Sequence, residues 1–183
     1  MSEGVFWSLA LALALFWAVG AYNRLVRLRA QALTAFTAID EQLSRLLAAG
    51  RQQTAALQGD LSREHRPVYE GMIGALAQLE ASLKASRGKP LDRHAMGALL
   101  AAEVSLQAAS DRWQAVIAAG LVNTEQTGSP LPGWADLSRE LTSAGGDFNA
   151  MAAQYNDAIG QFPARLLAWL FGLEPAMLHR TPA

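Results

Sequence analysis

The chain has 183 residues, with 15 Lys and Arg against 16 Asp and Glu and a net charge of -1. That balance supplies no global positive field, so a nucleic-acid partner is not expected. The absence of cysteine excludes a disulfide framework, a thiolate metal site and a thiol nucleophile. Alanine, leucine, glutamine and arginine, all good helix formers, run through the chain and predict an all-α protein.

Between Glu3 and Arg24 no residue carries a formal charge, and Val5 to Ala21 are almost wholly apolar. At about 1.5 Å per residue the stretch covers roughly 30 Å, one hydrocarbon core, and reads as a membrane-spanning helix. Trp7 and Trp17 lie near its two ends, where amphipathic rings favour the interface. Arg24, Arg27 and Arg29 follow directly, and the positive-inside rule then places the rest of the chain in the cytoplasm. A cleaved secretory signal is the rival reading, because Ala18-Val19-Gly20 offers small residues at a cleavage spacing. Such signals open with positive charge, which residues 1 to 4 lack, so an uncut anchor over residues 1–23 is expected.

Leu28, Ala32, Phe36, Ile39, Leu43, Leu46 and Gly50 recur at steps of three and four, which is one helix face. No breaker separates them from the anchor, so a single rod is predicted to about Gln58, ended by Gly59-Asp60. A second helix follows Pro67 and carries Tyr69, Met72, Leu76, Leu79 and Leu83; Ser86 to Pro90 stops it. Asp92 is the N-cap candidate of a third helix, whose stripe of Met96, Leu99, Leu100, Leu106, Trp113 and Ile117 is interrupted by Glu103 and Ser110. Residues 122 to 133 read as a long loop. A fourth helix then carries Trp134, Leu137, Leu141, Ala144, Phe148, Met151, Tyr155, Ile159 and Phe162, and beyond Pro163 a short apolar segment runs from Leu166 to Phe171 until Gly172 and Pro175 end it.

Short turns between long helices make antiparallel neighbours, so the expected architecture is an up-down four-helix bundle over residues 24–173, with a short C-terminal apolar helix and a tail over 174–183. The fourth helix returns to the bilayer, which brings Phe162 to Leu173 near the membrane. The turn carrying Lys84, Arg87, Lys89 and Arg93 lies at the same end, and with Arg24, Arg27, Arg29, Arg165 and Arg180 forms a basic cluster. Two readings stand: contact with anionic head groups, worth about 1 kcal/mol per charge close to the surface, or a solvated bundle end. Trp169 and Phe171 likewise either enter the interface or cap the bundle core.

Several blocks resemble the LemA family of small bacterial membrane proteins. These are Tyr22-Asn23-Arg24-Leu25-Val26, then Ile39-Asp40-Glu41-Gln42-Leu43, then Asp147-Phe148-Asn149, Gln154-Tyr155-Asn156-Asp157, Phe162-Pro163 and Leu170-Phe171-Gly172. The resemblance covers nearly the whole chain and implies one N-terminal transmembrane helix and a helical bundle in the bacterial inner membrane. It departs at Ala48 to Thr54, where the family's proline and asparagine are missing, so the chain looks like a divergent member. The family carries no settled biochemical activity.

Phe148 and Tyr155 are seven residues apart, as are Asn149 and Asn156, so each pair recurs on one helix face. Buried amides select register, because a wrong one leaves them unsatisfied, and Asp40 is a candidate partner. The alternative is a polar recognition groove built from Asp40, Asn149 and Asn156. No catalytic constellation is evident: His65, His94 and His179 show no metal-ligand spacing, and Gly71 and Gly74 sit within a helical pattern. No cofactor, metal or small-molecule substrate is expected. The function expected is that of a non-enzymatic, oligomeric scaffold or adaptor for other membrane proteins, with organisation of anionic lipid as the alternative.

Overall fold

The computed structural model describes residues 2–56, 63, 65–119 and 133–179. The predicted Gly59-Asp60 turn and most of the predicted loop, residues 122–132, lie outside them. Among the described residues five helices run in chain order: α1 (Ser2–Ala56), α2 (Arg66–Gly88), α3 (Arg93–Ala118), α4 (Trp134–Gly160) and α5 (Ala164–Leu170).

The predicted rod is present as α1, a single helix of 55 residues. Its two halves face different surroundings. From Val5 to Val19 every large apolar side chain is exposed, and Leu25 is the first that the bundle encloses. From there Ala32, Phe36, Ile39, Leu43 and Leu46 are buried at steps that keep one face against the core. Near the N-terminus α1 is long and apolar enough to cross a membrane.

Up-down order follows from the cross-contacts. Arg87 binds Asp40 and Arg51 binds Glu80, which runs α2 antiparallel to α1. Ser86 Oγ donates to the carbonyl of Ala95, and Tyr69 packs on Trp113, which turns α3 back along α2. Phe36 meets Phe148 edge to face at 6.2 Å between ring centroids and Arg45 lies 3.6 Å from Glu140, so α4 descends beside α1. The surface ion pairs are exposed and each is worth about 0–1 kcal/mol, so the apolar faces hold this arrangement. Asp92 caps α3 as expected: its carboxylate accepts from the Ala95 N–H at 2.8 Å, and that bond holds its pKa below the ordinary value.

The stripe on α3 does not break at Glu103 and Ser110. Both are buried, and Met96, Leu99, Glu103, Leu106, Ser110, Trp113 and Ile117 form one unbroken series of alternating steps. Phe162, assigned by its spacing to the core face of α4, is instead exposed and lies outside that helix.

The bundle is not closed by helix on helix. Helix α1 packs on α2 and α4, and α2 packs on α3, but no residue of α3 lies within 8 Å of one of α4 between Cα atoms. A segment of non-helical chain, Leu173 to His179, occupies the seam between them. The bundle therefore reaches at least to His179, and residues 174–179 are not the trailing tail that their composition suggested. Ala176 and His179 are both buried. The reversal comes from Gly172, whose φ of 61° is the left-handed conformation that L side chains rarely adopt. Leu173 N–H bonds the Ala168 carbonyl at 2.8 Å, closing the end of α5 and sending the chain back along α4.

Candidate functional site: the seam between α3 and α4

The seam is built on the two asparagines. Seven helical residues rise about 10.5 Å, while three extended residues span roughly 10 Å. Asn149 and Asn156 are therefore spaced to meet residues three apart on an extended chain. Asn156 Nδ2 donates to the Ala176 carbonyl at 2.8 Å, and its Oδ1 accepts from the Ala176 N–H at 2.7 Å. Asn149 repeats the pattern at His179, with both bonds at 2.6 Å. Each amide thus takes one donor and one acceptor from the backbone alone, so the grip does not depend on which side chains the bound strand carries.

The imidazole of His179 fills the space between the helices. It is 1% exposed, and its Nε2 lies 2.9 Å from Glu103 Oε1. On the other side it leans on Gly145, where a Cβ would sit 2.6 Å from Nδ1. Lower in the seam Met177 lies against Gly97. Beneath it Tyr155 is buried beside Arg29; burial raises its hydroxyl pKa, and the guanidinium partly offsets the rise. Above His179 the seam continues as a cavity of about 520 Å³ between α3 and α4.

Sequence reasoning singled out Asn149 and Asn156 but gave them the wrong partner. Asp40 is held by Arg87 at 2.7 Å, and neither asparagine bonds it. The polar groove of Asp40, Asn149 and Asn156 therefore does not form. Phe148 and Tyr155 are core residues as expected, whereas Gln42 keeps a buried Oε1 without a partner. His179 and Glu103 were missed as a pair. The available signal was Glu103 itself, a carboxylate at a core position of a heptad pattern whose other members, Ser110 apart, are apolar.

At the other end of the bundle α5 lies beside α1. Trp17 packs on Phe162 at 5.4 Å and Tyr22 on Phe171 at 4.9 Å. Trp169 is 83% exposed, and Leu166, Leu170 and Phe171 are exposed with it. Trp169 therefore does not cap the core; the small residues Ala164 and Ala168 face inward instead. Pro163 leads into α5, Trp7 is exposed near the start of α1, and Asn23, Arg24, Arg27 and Arg29 ring α1 on its exposed sides where the bundle begins. The basic turn meets one side of that ring, where Arg29, Arg87 and Lys89 line one cavity with Gly172 and Glu174. Lys84, Lys89 and Arg93 are exposed, and Arg87 reaches Asp40, which lies about 24 Å along α1 from Arg24 at 1.5 Å per residue. Among the described residues no three His, Asp or Glu side chains are grouped as metal ligands would be.

Compared with models of known families, with curated proteins and with solved structures, the chain shows no match.

Proposed function

We propose that the chain is a divergent LemA-like, single-pass membrane protein whose helical domain is a non-enzymatic adaptor for other membrane proteins. The observation that carries this reading is the double asparagine clamp, since a domain that binds an extended strand through its backbone is suited to receiving polypeptide. The order of the motif blocks supports the family, and the uncharged first half of α1 supports the anchor. Arg24, Arg27 and Arg29 favour a cytoplasmic domain at the bacterial inner membrane. A photo-crosslinking residue placed in turn at Thr142, Glu70 and Lys84 in intact cells should join the domain to other membrane proteins. A folded domain that forms no adduct from any of the three positions is not an adaptor.

A second reading, direct contact with lipid, is favoured by the exposed face of α5 beside Trp17 and Tyr22. Aromatic side chains at such a level sit comfortably among head groups. The exposed apolar residues belong to α5, so α5 is the element assigned to that contact. Because the chain has no cysteine, a nitroxide attached through Trp169→Cys reports one site only. In bilayers its collisions with oxygen should exceed those of a label at Glu70→Cys, and its collisions with a water-soluble nickel chelate should be fewer. Equal access of the nickel chelate to both labels would leave α5 as an ordinary solvated surface.

A further inference from the structure

Where the turn between α2 and α3 approaches α1, a cavity of about 480 Å³ opens at the end of the bundle nearer the apolar half of α1. Three cations line it: Arg29 on α1, Arg87 near the end of α2 and Lys89 in the turn. Arg87 is engaged, since its Nε donates to Asp40 at 2.7 Å and its Nη2 to Ser44 at 3.0 Å. Arg29 and Lys89 form no ion pair among the described residues, although two carboxylates line the same cavity. Asp92 caps α3, and Glu174 is exposed. Tyr155 is buried beside Arg29 and steadies the guanidinium without neutralising it, because burial raises the phenol's pKa and keeps it protonated.

The level of the cavity names the anion. The hydrocarbon core is about 30 Å thick and the whole bilayer about 40–45 Å, which leaves roughly 5–8 Å of head group on each side. Arg24 is the first charge after the apolar half of α1, and Arg29 stands about 7.5 Å beyond it at 1.5 Å per residue. The cavity therefore opens at the outer edge of the head-group layer, where lipid phosphate is concentrated. Gly172 and Leu173 form its side toward α5, whose exposed Leu166, Leu170 and Phe171 offer acyl chains an apolar path. Phe171 packs on Tyr22, two turns nearer the apolar half of α1 than Arg29. We propose that this cavity is a phosphate site for the head group of an anionic phospholipid, with Arg29 and Lys89 as the binding cations. A choline head group would set its own ammonium against both and is disfavoured. The inference rests on the lipid-contact reading and deepens it: α5 meets the acyl chains, and the cavity selects the head group.

The test uses full-length protein in mixed micelles of phosphatidylglycerol and phosphatidylcholine, with native mass spectrometry counting the lipids that stay bound. Phosphatidylglycerol should be retained in preference. Arg29→Gln and Lys89→Gln, both at exposed positions, should each lower its affinity about fivefold, equivalent to about 1 kcal/mol per charge at 1.4 kcal/mol per tenfold. Arg27→Gln is the control, because Arg27 is exposed on the same turn of α1 but does not line the cavity. It should change retention by less than about twofold. Equal losses for Arg27→Gln and Arg29→Gln would show diffuse attraction and overturn the site, as would equal retention of the two lipids. Displacement of the lipid by millimolar inorganic phosphate would overturn the lipid source and assign the site to a soluble phosphate. A nitroxide at Trp169→Cys that is as open to the nickel chelate as one at Glu70→Cys would sink this proposal together with the reading beneath it. A lipid-buried nitroxide, with retention indifferent to Arg29 and Lys89, would remove the site alone.

Discussion

Asn149→Ala combined with Asn156→Ala should release the C-terminal segment from the bundle. Each substitution removes two hydrogen bonds and strands a backbone N–H and a carbonyl at a buried residue, Ala176 or His179. At about 1–3 kcal/mol for each group left unpaired, either single variant should cost roughly 2–6 kcal/mol if the strand stays docked. The double variant exceeds what a short strand can gain by docking, so local detachment becomes the cheaper outcome. Carboxypeptidase should then digest through His179 in the double variant and stop short of it in the parent. Asn149→Asp is a sharper control, because it keeps the acceptor and loses the donor, setting a carboxylate against the His179 carbonyl. It should weaken docking about as much as alanine does. Parent-like resistance to digestion in the double variant would mean that the amides do not hold the strand.

Gly145→Ala should destabilise the domain, although glycine to alanine within a helix ordinarily gains about 0.5–1 kcal/mol. The sign changes because the new methyl would sit 2.6 Å from Nδ1 of a rigid, enclosed imidazole. Overpacking of this kind costs about 1–3 kcal/mol. Its neighbour supplies the comparison: a Cβ at Gly146 meets nothing within 4 Å, so Gly146→Ala should show the ordinary gain. Adding His179→Ala to Gly145→Ala should remove the clash and recover part of the loss. Urea unfolding of the four proteins decides the matter, and a stabilised Gly145→Ala protein would show that His179 does not occupy the seam.

Helices and their inward faces were legible because long amphipathic segments write themselves at steps of three and four. Tyr69, Met72, Leu76, Leu79 and Leu83 needed no tertiary information to be assigned to one face. The seam was not legible in the same way. A seven-residue extended segment has no helical period, and the partners of Asn149 and Asn156 are backbone groups that leave no trace in side-chain identity. Asp40, a side chain at a suitable position, was the visible candidate for that reason, yet Arg87 takes it. Glu103 and Ser110 looked like breaks in a stripe because polarity was read as exposure. Both are core positions, one facing His179 and the other bonded by Gln114. Trp169 shows the converse, since an apolar residue at the end of a bundle can cover a core or face outward, and only the turn of α5 about its alanines decides which.

Because α1 passes from its exposed half to its enclosed half without a turn or a proline, there is no swivel between them. The 32 residues from Leu25 to Ala56 extend roughly 48 Å at 1.5 Å per residue, so a ten-degree lean of the first half displaces the far end by about 8 Å. The seam's heading is thereby tied to the lean of the N-terminal rod, as a flag is to its pole.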